Sequence, residues 1–172
     1  YVKTTIDNPK ASEISFAKTS DGASWGAVYG QSLQPIAAVK SANAGIRVER
    51  NIETAGKSLR VGDKVKVTIT IVADRDYDFV QLCDKRAACL EPVSQLSGYR
   101  NGYYLAPQDN CTNYFFDRLS KGKHVVETEY FVDRPGSYLL GVCTAECAYS
   151  PEFSGRAEAV QIVVNAVSYT HL

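Results

Sequence analysis

Between Val65 and Ile71 the chain alternates strictly, with Val65, Val67, Ile69 and Ile71 on one side and Lys66, Thr68 and Thr70 on the other. A two-residue period belongs to a β-strand with one buried and one wet face; a helix would bring every third or fourth residue together instead. The same period returns at Val126, Thr128, Tyr130 and Val132, at Tyr138, Leu140 and Val142, and at Val160, Ile162 and Val164. Several strands that each turn one apolar face to a shared core constrain the chain to a layered, all-β architecture. Eleven Tyr and no Met agree with that reading.

Turn chemistry separates the runs. Val61-Gly62-Asp63 precedes the first, Ser120-Lys121-Gly122-Lys123 the second and Asp133-Arg134-Pro135-Gly136 the third. Strands are expected at 46–52, 65–73, 78–83, 112–118, 124–132, 137–147 and 158–164. About seven antiparallel strands with frequent turns predict a two-sheet sandwich of immunoglobulin size. The stretch 85–111 breaks the rhythm and carries Tyr99, Tyr103 and Tyr104. A long connection of this kind is either an interaction loop, with those tyrosines as its contact residues, or a connection packed down by them.

A chain of 172 residues fits one full domain and part of a neighbour. Residues 1–42 read as the end of a preceding β domain plus a linker, with strands at 14–16 and 25–31 joined by a turn at Ser20-Asp21-Gly22. Residues 43–166 form the sandwich, and 167–172 follow without pattern as a non-native tail.

Nineteen basic and nineteen acidic side chains balance, which leaves no electrostatic footprint for nucleic acid. No apolar run approaches the roughly 20 residues of a membrane-spanning helix. Cys83, Cys89, Cys111, Cys143 and Cys147 fit an oxidising compartment with at least one disulfide; the alternative is buried thiols acting as small apolar residues.

Catalytic and metal chemistry find little support. Asp74, Asp76 and Asp78 have the spacing that opens a calcium loop, but Phe79 stands where that loop needs Gly and Lys85 where it needs Glu. A bend decorated by solvated charges accounts for them better. The cysteine spacings are wider than a zinc knuckle, and there is neither a nucleophile elbow nor a phosphate-cradling loop. No enzyme activity, metal or cofactor is expected. Glu91-Pro92 and Tyr149-Ser150-Pro151-Glu152-Phe153 are read as structural corners whose carboxylates meet backbone N–H groups or an arginine such as Arg86 or Arg156.

Leu59-Arg60-Val61-Gly62-Asp63, then Ala73-Asp74-Arg75-Asp76-Tyr77-Asp78-Phe79-Val80, Cys89-Leu90-Glu91-Pro92 and Tyr149-Ser150-Pro151-Glu152 with Gly155-Arg156 occur in this order. In that order they resemble the C-terminal macroglobulin-like domain of bacterial alpha-2-macroglobulins, from about Gly45 to Val164. The resemblance implies a non-catalytic sandwich in an endopeptidase inhibitor that traps proteases. Its partners would be the other domains of the same polypeptide and, through the parent, proteases, in the periplasm or cell envelope of a bacterium. The family's reactive thioester lies in a Cys-Gly-Glu-Gln motif, and none of the five cysteines here is followed by Gly-Glu-Gln. A bridge from Cys89 to Cys147 is expected; Cys83, Cys111 and Cys143 lie outside the matched motifs, with Cys111 the expected odd thiol. The competing reading is a β-sandwich binding or adhesion module of a cell-envelope protein that works through Tyr99, Tyr103 and Tyr104.

Overall fold

The computed structural model describes residues 2–7, 10, 12–53 and 58–166. It divides into two compact units, Tyr1–Leu33 and Gln34–Leu172. The expected tail at 167–172 lies outside the described residues.

Among the described residues of the first unit there is no strand. The segments expected as strands at 14–16 and 25–31 have no regular secondary structure, with Phe16 and Trp25 exposed. Alternation marks which side of a strand would be buried, but a strand also needs a partner to take its N–H and C=O groups.

The described residues of the second unit carry a short 3-10 turn at Ile36–Ala38 and then fourteen strands. In chain order these are β1 (Ala42–Ala44), β2 (Ile46–Glu53), β3 (Leu59–Arg60), β4 (Lys64–Ala73), β5 (Tyr77–Lys85), β6 (Leu90–Pro92) and β7 (Gly98–Arg100). They continue with β8 (Tyr103–Pro107), β9 (Cys111–Leu119), β10 (Gly122–Val132), β11 (Gly136–Leu140), β12 (Cys143–Cys147), β13 (Ser150–Ala157) and β14 (Val160–Asn165). A seven-stranded sheet has the order β1-β13-β12-β5-β9-β8-β7, and a four-stranded sheet the order β2-β4-β10-β6. A small third sheet, β11-β14-β3, contains one parallel pair. The all-β sandwich expected from the alternation is the fold observed.

The core lies between the two large sheets. Val65, Val67, Ile69 and Ile71 of β4 are all buried, as are Val126, Tyr130 and Val132 of β10. Val80 and Leu82 of β5 and Tyr114 and Phe116 of β9 face them from the seven-stranded sheet. Each such side chain contributes about 1.5–3 kcal/mol by leaving water. The two buried tyrosines bring hydroxyls with them, and both are satisfied across the layers. Tyr114 reaches Thr128 Oγ1 at 2.5 Å and Tyr130 reaches Thr112 Oγ1 at 2.9 Å.

Two glycines set where the chain changes layers. Gly45, at φ +87°, turns it from β1 in the large sheet to β2 in the small one. A Cβ there would stand 2.1 Å from the Tyr77 hydroxyl. Gly141 interrupts the single strand expected at 137–147, which is divided into β11 and β12 in different sheets. A Cβ at Gly141 would meet Lys85 Cβ at 2.7 Å. The stretch 85–111 is likewise more ordered than its sequence rhythm shows: β6 closes the small sheet, while the β7–β8 hairpin extends the large one.

Candidate functional site

The bend between β4 and β5 spreads its carboxylates among separate partners. Asp74 accepts from Arg75 and from the Tyr77 hydroxyl, the latter at 2.6 Å, and these bonds hold its pKa below the usual carboxylate value. Burial and the bond to Asp74 push Tyr77 up to about 12. Asp76 takes the Lys121 N–H at 2.8 Å and the Arg118 guanidinium at 2.6 Å, and it too is held low by them. No group of three or more His, Cys, Asp or Glu is arranged to hold a metal among the described residues.

Between the layers lies a charged pair that the sequence reading missed. Arg50 of β2 donates from Nη1 to Asp84 Oδ1 of β5 at 2.6 Å, with both side chains 1 % exposed. Its Nη2 reaches the carbonyls of Glu158 at 2.9 Å and Leu140 at 3.4 Å. One guanidinium therefore ties β2 to β5 and to the ends of β11 and β13. Burial raises the Asp84 pKa, while Arg50 and the Cys143 thiol pull it back. The signal was present in the pattern. Arg50 is in phase with Ile46, Val48 and Ile52, and Asp84 with Val80 and Leu82, so the strand period already pointed both charges inward. An open cavity of about 340 Å³ lies beside Arg50, lined by Arg47, Glu49, Arg156 and Glu158 among others. Arg50 Nε, buried, has no hydrogen-bond partner among the described residues.

The three tyrosines of the expected interaction loop divide between two faces. Tyr99 and Tyr104 are cross-strand partners on β7 and β8, stacked edge to face at 5.1 Å, with Tyr99 74 % exposed. Tyr103 turns the other way, packing on Tyr114 at 5.6 Å and Phe116 at 5.5 Å. The register then runs from Tyr104 to the partly exposed Phe115, to Gln81, to Glu146. This row forms an aromatic half and a polar half across the outer face of the seven-stranded sheet.

A second exposed aromatic pair lies elsewhere on the same sheet. Phe79 of β5 has φ +53°, unusual for a side chain with a Cβ, and meets Tyr149 edge to face at 5.4 Å. Both are largely exposed. The left-handed residue lets β5 reverse which side faces the core, since Tyr77 and Val80, an odd number of residues apart, are both buried. Holding a bulky residue there costs on the order of 1–2 kcal/mol.

All five cysteines are free thiols in the structure. Cys89, beside β6, and Cys147, at the end of β12, are both buried, and burial raises both pKa values. The Cys89 carbonyl accepts from Asp133, next to the small sheet, while Cys147 pairs with Val80 in the large one. Cys83 lies beside Cys111 on the outer face; burial, then Cys111, push Cys83 up to about 11. Arg86 and Arg156 meet backbone carbonyls in place of Glu91 or Glu152. Arg86 grips those of Gln108, Asp109 and Cys111, and Arg156 that of Lys40.

The family model for the bacterial alpha-2-macroglobulin MG10 domain matches residues 40–152. Among solved structures, Salmonella alpha-2-macroglobulin reacted with methylamine superposes with a TM-score of 0.66 at 23 % identity, covering 74 % of this chain and 10 % of that one. The native conformation of Escherichia coli alpha-2-macroglobulin gives a TM-score of 0.66 at 20 % identity, with 77 % and 10 % covered. A piece of the latter protein spanning domain MG7 to the C-terminus gives 0.64 at 20 %, with 76 % and 25 % covered. Circularly permutated Ras protein 2 of Dictyostelium discoideum is 24 % identical over 122 residues, or 69 % of this chain and 3 % of its own length. This chain thus spans only a small part of each.

Proposed function

This chain belongs to the bacterial alpha-2-macroglobulin MG10 domain family, and from that premise we propose that it is a non-catalytic domain of an endopeptidase inhibitor that traps proteases. The observation that carries the reading is the match across 40–152, which runs from the Lys40 edge of the sandwich to the Tyr149-Ser150-Pro151-Glu152 corner. Residues 43–166 are the working module, preceded by 1–42 as the end of a neighbouring domain and its linker. The module contributes packing and conformational relay, with other domains of the same polypeptide as its direct partners and proteases as the parent's.

Two features support a relay. The Arg50–Asp84 pair joins β2 to β5 across the two layers and reaches the ends of β11 and β13, so displacement of one is felt by the others. The Phe79–Tyr149 pair exposes aromatic area of the kind that central contact residues use. The protein would work in the periplasm or outer envelope; among the described residues no helix is long and apolar enough to cross a membrane. The parent protein, cut by a protease, should change shape, read as a shift in native-gel mobility and in radius of gyration. Cleavage with neither shift would overturn the reading.

The stack of exposed Tyr99 on half-buried Tyr104 favours a second reading, a binding or adhesion module of an envelope protein. Replacing Tyr99 and Tyr104 by Ser should then abolish partner capture, and unchanged capture dismisses it.

A further inference from the structure

Cys83 and Cys111 stand on neighbouring antiparallel strands, β5 and β9. Register places Cys83 opposite Asn113 and Lys85 opposite Cys111, so the two cysteines are diagonal neighbours. They share the outer face. Asn113 Nδ2 lies 3.7 Å from Cys111 Sγ and 3.3 Å separates Gln81 Nε2 from Asn113 Oδ1, while Gln81 is two residues from Cys83 on the same side of β5. Cys83 is partly exposed, and Cys111 is 3 % exposed with its sulfur also 3.6 Å from Gln108 Oε1. Diagonal positions are typically about 7–8 Å apart at Cα, just beyond the roughly 7 Å that a bridge spans without backbone movement. Cys111 is the first residue of β9, so the bridge requires the chain to shift at this strand end.

We propose that Cys83 and Cys111 form a disulfide across β5 and β9 when the protein meets a small disulfide oxidant. The accessible Cys83 attacks as its thiolate, joining one sulfur of the oxidant and releasing the other half as a thiolate. Cys111 then loses its proton and attacks the Cys83 sulfur, releasing the second half. The two cysteines give up two electrons and two protons, and the oxidant becomes two thiols. The bridge closes the base of the excursion that carries β6, β7 and β8, and so fixes the outer edge that displays Tyr99 and Tyr104. It leaves Cys143, whose thiol faces Asp84, and the buried Cys89 and Cys147 reduced. The inference rests on strand register and the shared face, whatever the function of the parent.

The test uses the full chain, native and reduced, treated with oxidised glutathione, then denatured, alkylated and analysed by intact mass and peptide mapping. The expected product has lost two hydrogens, carries three alkyl groups and contains one cross-linked peptide joining Cys83 to Cys111. C111S should instead trap glutathione on Cys83, and C83S should yield no cross-link. Five alkylated cysteines, a link through any other pair, or a glutathione adduct persisting on the wild-type chain would overturn the proposal.

Discussion

Two ion pairs in this sandwich have the same length and opposite surroundings. Arg50 Nη1 meets Asp84 Oδ1 at 2.6 Å with both side chains 1 % exposed, and Arg118 Nη2 meets Asp76 Oδ2 at 2.6 Å with 69 % and 50 % exposed. Distance is therefore a poor guide to what each does. The exposed pair exchanges water contacts for one another and is screened by salt. The buried pair has given up its hydration, and its worth depends on whether each charge still finds the other. That makes Arg50–Asp84 a device for register and layer alignment more than a source of stability.

The harshest way to break the comparison is to place a charge on the inner face without a partner. Ile69→Asp puts a carboxylate where the wild-type side chain is 0 % exposed. Loss of the cooperative unfolding transition is expected, by calorimetry or circular dichroism. An unchanged melting temperature would show that β4 does not bury this face.

Next comes the pair itself. Asp84→Ala leaves the Arg50 guanidinium buried and uncompensated, at a cost of about 3–5 kcal/mol in urea unfolding. The double replacement R50M/D84L should cost clearly less than that single change. Equal or greater loss in the double variant would make the pair a net stabiliser and remove the contrast with Arg118–Asp76.

Acid sensitivity sharpens the same contrast with opposite signs. Asp76 has a lowered pKa, so the unfolded chain binds more protons between the folded and unfolded values. Its contribution is present above the ordinary carboxylate range and is lost as pH falls through the folded pKa. Asp84 has a raised pKa, so the folded protein binds more protons above the ordinary carboxylate value, and stability falls as pH rises from that value through the folded one. Urea unfolding from pH 3 to 6 should show a flatter rise of stability with pH in D76N and a steeper one in D84N. At neutral pH, D76N should leave the melting temperature nearly unchanged.

The sandwich was legible because β4, β10 and β14 each bury one face, and a period of two survives in their residues. The short strands β6, β7 and β8 were not. Their existence depends on pairing at sheet edges, β6 with β10, β8 with β9 and β7 with β8, which no local pattern announces. Gly141 was invisible for a related reason: its role comes from the nearby Lys85 side chain, far away in sequence. The same holds for Tyr103 and Tyr104, neighbours in the chain whose alternation sends one to the core and one outward. The charged pair between the layers was legible in phase but passed over, because charges in a strand are ordinarily assigned to the wet face.

The most direct test of the inhibitor reading is a protection assay on the parent protein. Incubated with trypsin, it should leave cleavage of a small chromogenic peptide intact while abolishing cleavage of a large protein substrate. Trypsin that retains activity on both substrates would contradict the account.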